Sequence, residues 1–241
     1  VGVIKNGARR WFDLGPMLFQ PSELAKIGLI IGLAAYGARF REKMHTLKHG
    51  LIIPGGILAL SLGMIFMEPD FGTTLLIATV GGIVLLVAGA NWKYVIPPAA
   101  LGLGLFAIAV FNDPVRMKRI TAFLHPEQHQ SDTGYQAYQA MLAFGNGGAT
   151  GLGLGNGRQK LGFVPEHHTD FIFSIIGEEL GVVATLGVVI AFMVLVVCGL
   201  YLAWKSGNRF GQLLGAGITF LIGLQAFINI GVVTSALPNK G

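Results

Sequence analysis

Six apolar runs, over residues 24–40, 51–67, 73–90, 95–111, 171–204 and 213–234, dominate the chain. Each approaches or exceeds the roughly 20 residues that an α-helix needs to cross the hydrocarbon core of a bilayer. Only 12% of the 241 residues are charged, against about a quarter in ordinary soluble domains, and mean hydropathy is +0.64. The pattern implies an all-α polytopic integral membrane protein, with a long outer loop at 112–170 and one membrane domain over 1–241. A formal net charge of +5 then reflects loop topology rather than a nucleic-acid footprint, and no nucleic-acid partner is expected. Cys198, the single cysteine, lies in an apolar run and cannot form an internal disulfide. Because the chain opens on Val1 and stops in a loop-like stretch, further spans are expected beyond both ends.

Orientation follows from the basic residues. Arg39, Arg41, Lys43 and Lys48 cluster against one acid, Glu42, which makes that loop cytoplasmic by the positive-inside rule. The spans then alternate. Glu68-Pro69-Asp70 becomes an outer turn, Lys93 sits in an inner loop, and Lys205 and Arg209 mark another inner loop. Residues 1–19 are too polar to span and carry turn signals at Asn6-Gly7 and Gly15-Pro16. Ser22 is the expected N-cap of the first span, with Glu23 suiting its positive end. Inside the outer loop, Tyr135, Tyr138, Met141 and Leu142 recur at helical spacing, which predicts an amphipathic helix over 134–144 at the membrane surface. Glycine fills seven of the thirteen positions 145–157. Without G-x-x-x-x-G-K-[ST] this reads as a flexible loop that moves or approaches a ligand closely, not as a phosphate loop.

This alternation puts Arg9, Arg10, Glu23, Lys26, Glu68, Asp70, the long loop and Asp170 on one extracytoplasmic face. Ionisable groups are costly where water is scarce, so a polar cavity opening outward is the economical explanation. Asp170 stands at the head of a span, where an aspartate serves equally as helix cap or general base, and the roles are compatible. For Asp70, turn and cap chemistry suffices; Glu68, at the end of a span, is harder to dismiss. Glu23 and Lys26, at i, i+3, pair with each other, join Asp70 in a network, or touch substrate. Arg9, Arg10, Arg116, Lys118 and Arg119 suit phosphate oxygens, with snorkelling to headgroups as the plain alternative. His167 and His168 are adjacent and make no zinc pair. A labile divalent cation (Mg2+ or Mn2+) on the acids stays open. Glu178 and Glu179, about two turns deeper than Asp170, require pairing or a polar pocket.

KNGARRW (5–11), QPSELAK (20–26), EPDFGT (68–73), QK (159–160) and PEHHTDFIFSIIGEELG (165–181) together resemble the SEDS family, the shape, elongation, division and sporulation proteins, along essentially the whole chain. The resemblance implies a ten-span glycosyltransferase that polymerises lipid II into peptidoglycan, of which the six spans here would be the fourth to the ninth. Carried over by position, it makes Asp170 the essential acid and Asp70 the acid of the family's outer turn. Glu23 and Lys26 become its acid–base pair. Gln159-Lys160 and the stretch 237–241 resemble the division branch, with the sporulation branch close by, while the elongation branch usually differs at the C-terminal motif.

On that resemblance Asp170 would take the proton from the acceptor sugar's 4-hydroxyl, and polyprenyl diphosphate would leave with inversion. Arg9, Arg10, Lys118 and Arg119 would bind the diphosphate, and His168 and Thr169 the substrate, beside a supporting network of Glu23, Lys26, Glu68 and Asp70. The implied partners are lipid II, a class B penicillin-binding transpeptidase and other divisome or elongasome membrane proteins, in the bacterial cytoplasmic membrane. The rival class is transport, a lipid II flippase, since Glu23, Glu68 and Glu178 also suit a proton relay. A non-catalytic scaffold is a third.

Overall fold

The computed structural model describes residues 3–5, 8–13, 18–68, 70–125, 134–159 and 170–238. A small sheet comes first: β1 (Val3–Lys5), β2 (Ala8–Asp13) and β3 (Leu18–Phe19), antiparallel in that order. Lys5 pairs with Ala8. The turn signals at Asn6-Gly7 and Gly15-Pro16 lie outside the described residues, and strands this short show no alternation to read.

Helix α1 (Pro21–Arg39) follows. Its cap position is Gln20, in extended backbone, and Ser22 lies inside the helix. Pro21 decides this, because its fixed φ and missing N–H suit the first helical position. A π-helical turn, Lys48–Ile52, leads into α2 (Ile53–Met67). Helix α3 (Phe71–Ala88) is capped by Asp70, whose side chain accepts from the Thr73 N–H at 3.0 Å. It ends at Gly89, whose φ of 105° is the left-handed stop that glycine supplies. Helix α4 (Trp92–Phe111) starts a turn earlier than expected, with the Asn91 side chain accepting from the Lys93 N–H.

The described part of the long loop holds more helix than its sequence suggested. It holds α5 (Pro114–Leu124), capped by Asp113 through the Val115 and Arg116 N–H groups, and α6 (Tyr135–Gly147). The Asp113-Pro114 pair, a cap followed by proline, was the available signal for α5. Two long helices, α7 (Ile172–Lys205) and α8 (Arg209–Val233), complete the chain. Of the described helical segments, five are long and apolar enough to cross a membrane: Lys48–Met67, α3, α4, α7 and α8. The sixth expected span coincides with α1, where Glu23 and Lys26 dilute the hydropathy. The fold is an all-α multi-pass membrane fold. Large apolar side chains on α2, α4 and α7, such as Leu60, Leu101 and Val197, are exposed as lipid-facing residues are.

The chain packs as two compact units. In the first (residues 1–103 and 196–222), Leu33, Ile77, Val80, Val84, Leu85 and Leu213 form the buried core. Small residues draw its helices together: a Cβ on Gly37 would lie 2.8 Å from that of Ala88, and one on Gly217 only 2.6 Å from Ile30. At one end Arg209 donates to the Val87 carbonyl at 2.6 Å, satisfying a free C-terminal carbonyl of α3. In the second unit (104–195 and 223–241), Ala140, Phe171, Phe173 and Val233 form the core, with Phe144 meeting Phe173 edge-on at 5.8 Å. Helix α6, expected to lie at the membrane surface, contributes Ala140 to this core and buries Ala143 as well.

Candidate active site

Helix α7 is not one helix. At Gly181 the backbone turns to φ 77°, ψ −177°, a region open essentially to glycine alone. A break inside an apolar span strands carbonyls before it and N–H groups after it, and each must find a partner within the protein. The glycine run supplies four such partners. Leu152 and Gly153 N–H donate to the Glu178 and Glu179 carbonyls at 3.0 and 2.9 Å. Val182 and Val183 N–H donate to the Gly148 and Ala149 carbonyls at 3.0 and 3.4 Å.

Such stitching needs backbone against backbone. A Cβ on Gly147 would strike the Gly177 carbonyl, and one on Gly151 the Glu179 carbonyl. The glycines therefore serve as a docking strip for a broken helix, which corrects the expectation of a loop free to move. The Glu178 side chain, 0% exposed, completes the joint. It accepts from the Arg158 N–H at 3.1 Å and from the Gln159 N–H at 3.1 Å, which answers the need for a polar pocket.

Asp170 stands exposed at the front of this clamped stretch, one turn residue ahead of buried Phe171. Its backbone carbonyl accepts from the Asn229 amide of α8 at 3.1 Å. Among the described residues its carboxylate has no hydrogen bond or ion pair. Among the described residues the aspartate is thus held by its backbone with its carboxylate unengaged, an arrangement compatible with a general base.

In the first unit the outer-turn acid and the start of α1 meet. Asp70 accepts from Thr73 N–H and Thr73 Oγ1, each at 3.0 Å, and from Gln20 Nε2 at 3.3 Å. Glu23 and Lys26 pair with each other, Nζ lying 2.7 Å from Oε2 and 2.8 Å from Oε1. The lysine side chain is 4% exposed and the glutamate 53%, so the pair neutralises a buried cation at the edge of the unit. Glu68 is partly buried in the turn after α2.

The other expected contacts are placed as follows. Arg9 and Arg10 fall on β2, their side chains outside the described set, and His168 and Thr169 lie outside the described residues altogether. Lys118 is exposed on α5 and Arg119 partly buried beside it, while Arg116 pairs with Asp113 at 2.9 Å. Among the described residues no three His, Cys, Asp or Glu side chains converge as a metal site would need. Sequence reasoning missed Asn229, because nothing marks an amide inside an apolar helix as a partner of a distant carbonyl.

These features define a multi-pass helical membrane protein with an exposed acid on a braced, interrupted span. A family model described as "Cell cycle protein", for FtsW, RodA and SpoVE, matches residues 1–241, and the chain belongs to that family. It is 42% identical over 245 residues to the probable peptidoglycan glycosyltransferase FtsW of Nitrosococcus halophilus, covering 100% of this chain and 63% of that protein. With the FtsW of the same description from Geobacter metallireducens it shares 40% over 241 residues, covering 100% and 64%. The chain thus spans just under two thirds of these relatives. A chain from a peptidoglycan synthase complex, solved for the structural coordination of polymerization and crosslinking, matches with TM-score 0.72 at 28% identity over all of this chain and 67% of that one. The rod shape determining protein RodA of Thermus thermophilus matches with TM-score 0.59 at 26% identity, covering 96% and 60%.

Proposed function

We propose that this chain belongs to a peptidoglycan glycan-strand polymerase of the division branch, acting on lipid II at the extracytoplasmic side of the bacterial cytoplasmic membrane. The observation that carries this is the placement of Asp170, its backbone fixed by Asn229 and its carboxylate exposed at the head of a broken span. The naming of relatives as peptidoglycan glycosyltransferases supports the reaction class.

In the reaction the Asp170 carboxylate takes the proton of the acceptor sugar's 4-hydroxyl. The oxygen forms a bond to the donor's anomeric carbon. The bond from that carbon to the diphosphate breaks, and polyprenyl diphosphate leaves with the electron pair, inverting the centre to a β-1,4 linkage. Diphosphate needs fixed positive charge more than an acid. Exposed Lys118 suits this role, with Arg119, Arg9 and Arg10 as further cations and His168 and Thr169 as substrate contacts beside the base. The supporting role of Glu23, Lys26, Glu68 and Asp70 lies within the first unit, where Glu23 pairs with Lys26 and Asp70 caps α3. A class B penicillin-binding transpeptidase that crosslinks the emerging strand, with other divisome membrane proteins, is the fitting partner.

The test is to incubate the purified full-length protein with lipid II, resolve the products by size, and follow labelled lipid II across liposomes in parallel. Glycan polymer is the expected product. Transbilayer movement without polymer would replace the enzyme by a flippase.

A further inference from the structure

The stretch from Phe171 to Leu180 is a short block between the exposed Asp170 and the break at Gly181. Three elements of its own unit hold it. Helix α6 buries Phe171 and Phe173 through Ala140 and Phe144, and Gly147 brings α6 against the Gly177 backbone. Helix α8 contributes Val233 and Ile230 to the same cluster and the Asn229 amide to the Asp170 carbonyl. The glycine strip takes the far end, through the Glu178 and Glu179 carbonyls and the Glu178 carboxylate. Gly157 is what lets that carboxylate reach the loop backbone, since a Cβ there would lie 2.9 Å from Oε2.

Neither Glu178 nor Asn229 has a part in the chemistry above, yet one is wholly buried and the other spends its amide on a single backbone oxygen. We propose that they are positioning residues for Asp170. Asn229 fixes the backbone at the base itself, and Glu178 locks the far end of the block to the glycine strip. Proton abstraction tolerates little error in placement, and a shift of about 1 Å costs on the order of 10²-fold in rate. A braced block that stops at Gly181 isolates the aspartate from motion in the rest of the span. The proposal rests on Asp170 being the base.

The test uses isosteric variants of the full-length protein, Glu178→Gln and Asn229→Asp, which keep volume and remove the hydrogen-bond complementarity. A Gln amide in place of Oε2 would face the Gln159 N–H, and an Asp at 229 would set an acceptor against the Asp170 carbonyl. Both variants are expected to lose roughly 10- to 100-fold in kcat for lipid II polymerisation, with KM within about twofold. A purely packing role would spare both, so unchanged kcat in either overturns the proposal for that residue. Where Glu178→Gln fails to fold, Asn229→Asp decides.

Amide exchange gives a readout that does not need activity. The Gln159 N–H, which bonds Oε2, is expected to be protected in the wild type and to exchange at least tenfold faster in Glu178→Gln. Equal protection overturns the lock. Were the wild type to make no glycan, the catalytic reading would fail, while this exchange comparison would still uphold or overturn the lock at Glu178.

Discussion

Replacing Gly181 by alanine strikes the joint on which the placement of Asp170 depends. At φ 77°, ψ −177° a side chain costs about 1–3 kcal/mol in backbone strain. The added Cβ would also meet the Ala149 carbonyl, in a packed setting where overpacking costs about 1–3 kcal/mol more. The helix can escape only by straightening, which pulls the Glu178 and Glu179 carbonyls from Leu152 and Gly153 and leaves the glycine strip without its dock. The expected loss is therefore about 2–6 kcal/mol, or a fall in Tm of roughly 5–20 °C on the scaling of domains of this size. The control is Gly187→Ala in the same helix, where nothing lies within 4 Å of the new Cβ and a gain of up to about 1 kcal/mol is expected. Thermal unfolding of the full-length protein in detergent measures both. Equal Tm for Gly181→Ala and wild type, or equal damage from the two substitutions, would refute the reasoning.

Three further outcomes follow from single contacts. Glu23→Ala strands the buried Lys26 ammonium and should lower stability by about 1–3 kcal/mol, discounted for the exposure of the glutamate. The double variant with Lys26→Met should recover most of that loss in the same thermal assay. Asp70→Ala removes the cap on Thr73 N–H and should cost about 0.5–2 kcal/mol, whereas Asp70→Asn keeps an acceptor and should cost less. For orientation, Asp170→Cys in a Cys198→Ser background should be labelled by an impermeant maleimide from outside the cell. Labelling only after the membrane is opened would reverse the topology.

The membrane class and the helix positions were legible because hydropathy over some twenty residues is a strong, local signal. The Glu23–Lys26 pair was legible for the same reason, since i, i+3 spacing fixes contact within one helix. Asp70 as a cap was legible from its place after a turn. Other features depended on long-range geometry. The break at Gly181 is invisible in hydropathy, because 182–205 alone continues the apolar run. The glycines of 145–157 signalled permissive backbone, but their purpose became clear only with the stranded carbonyls of Glu178 and Glu179 beside them. Helix α5 hid within mixed charge, and Asn229 carried no local mark at all.

The most direct measurement is the rate at which purified full-length Asp170→Asn polymerises lipid II beside the wild type, at equal yield and equal Tm. An amide in place of the carboxylate cannot accept the hydroxyl proton, so polymer is expected from the wild type and none above background from the variant. Glycan at the wild-type rate from Asp170→Asn would contradict the assignment of this aspartate as the base.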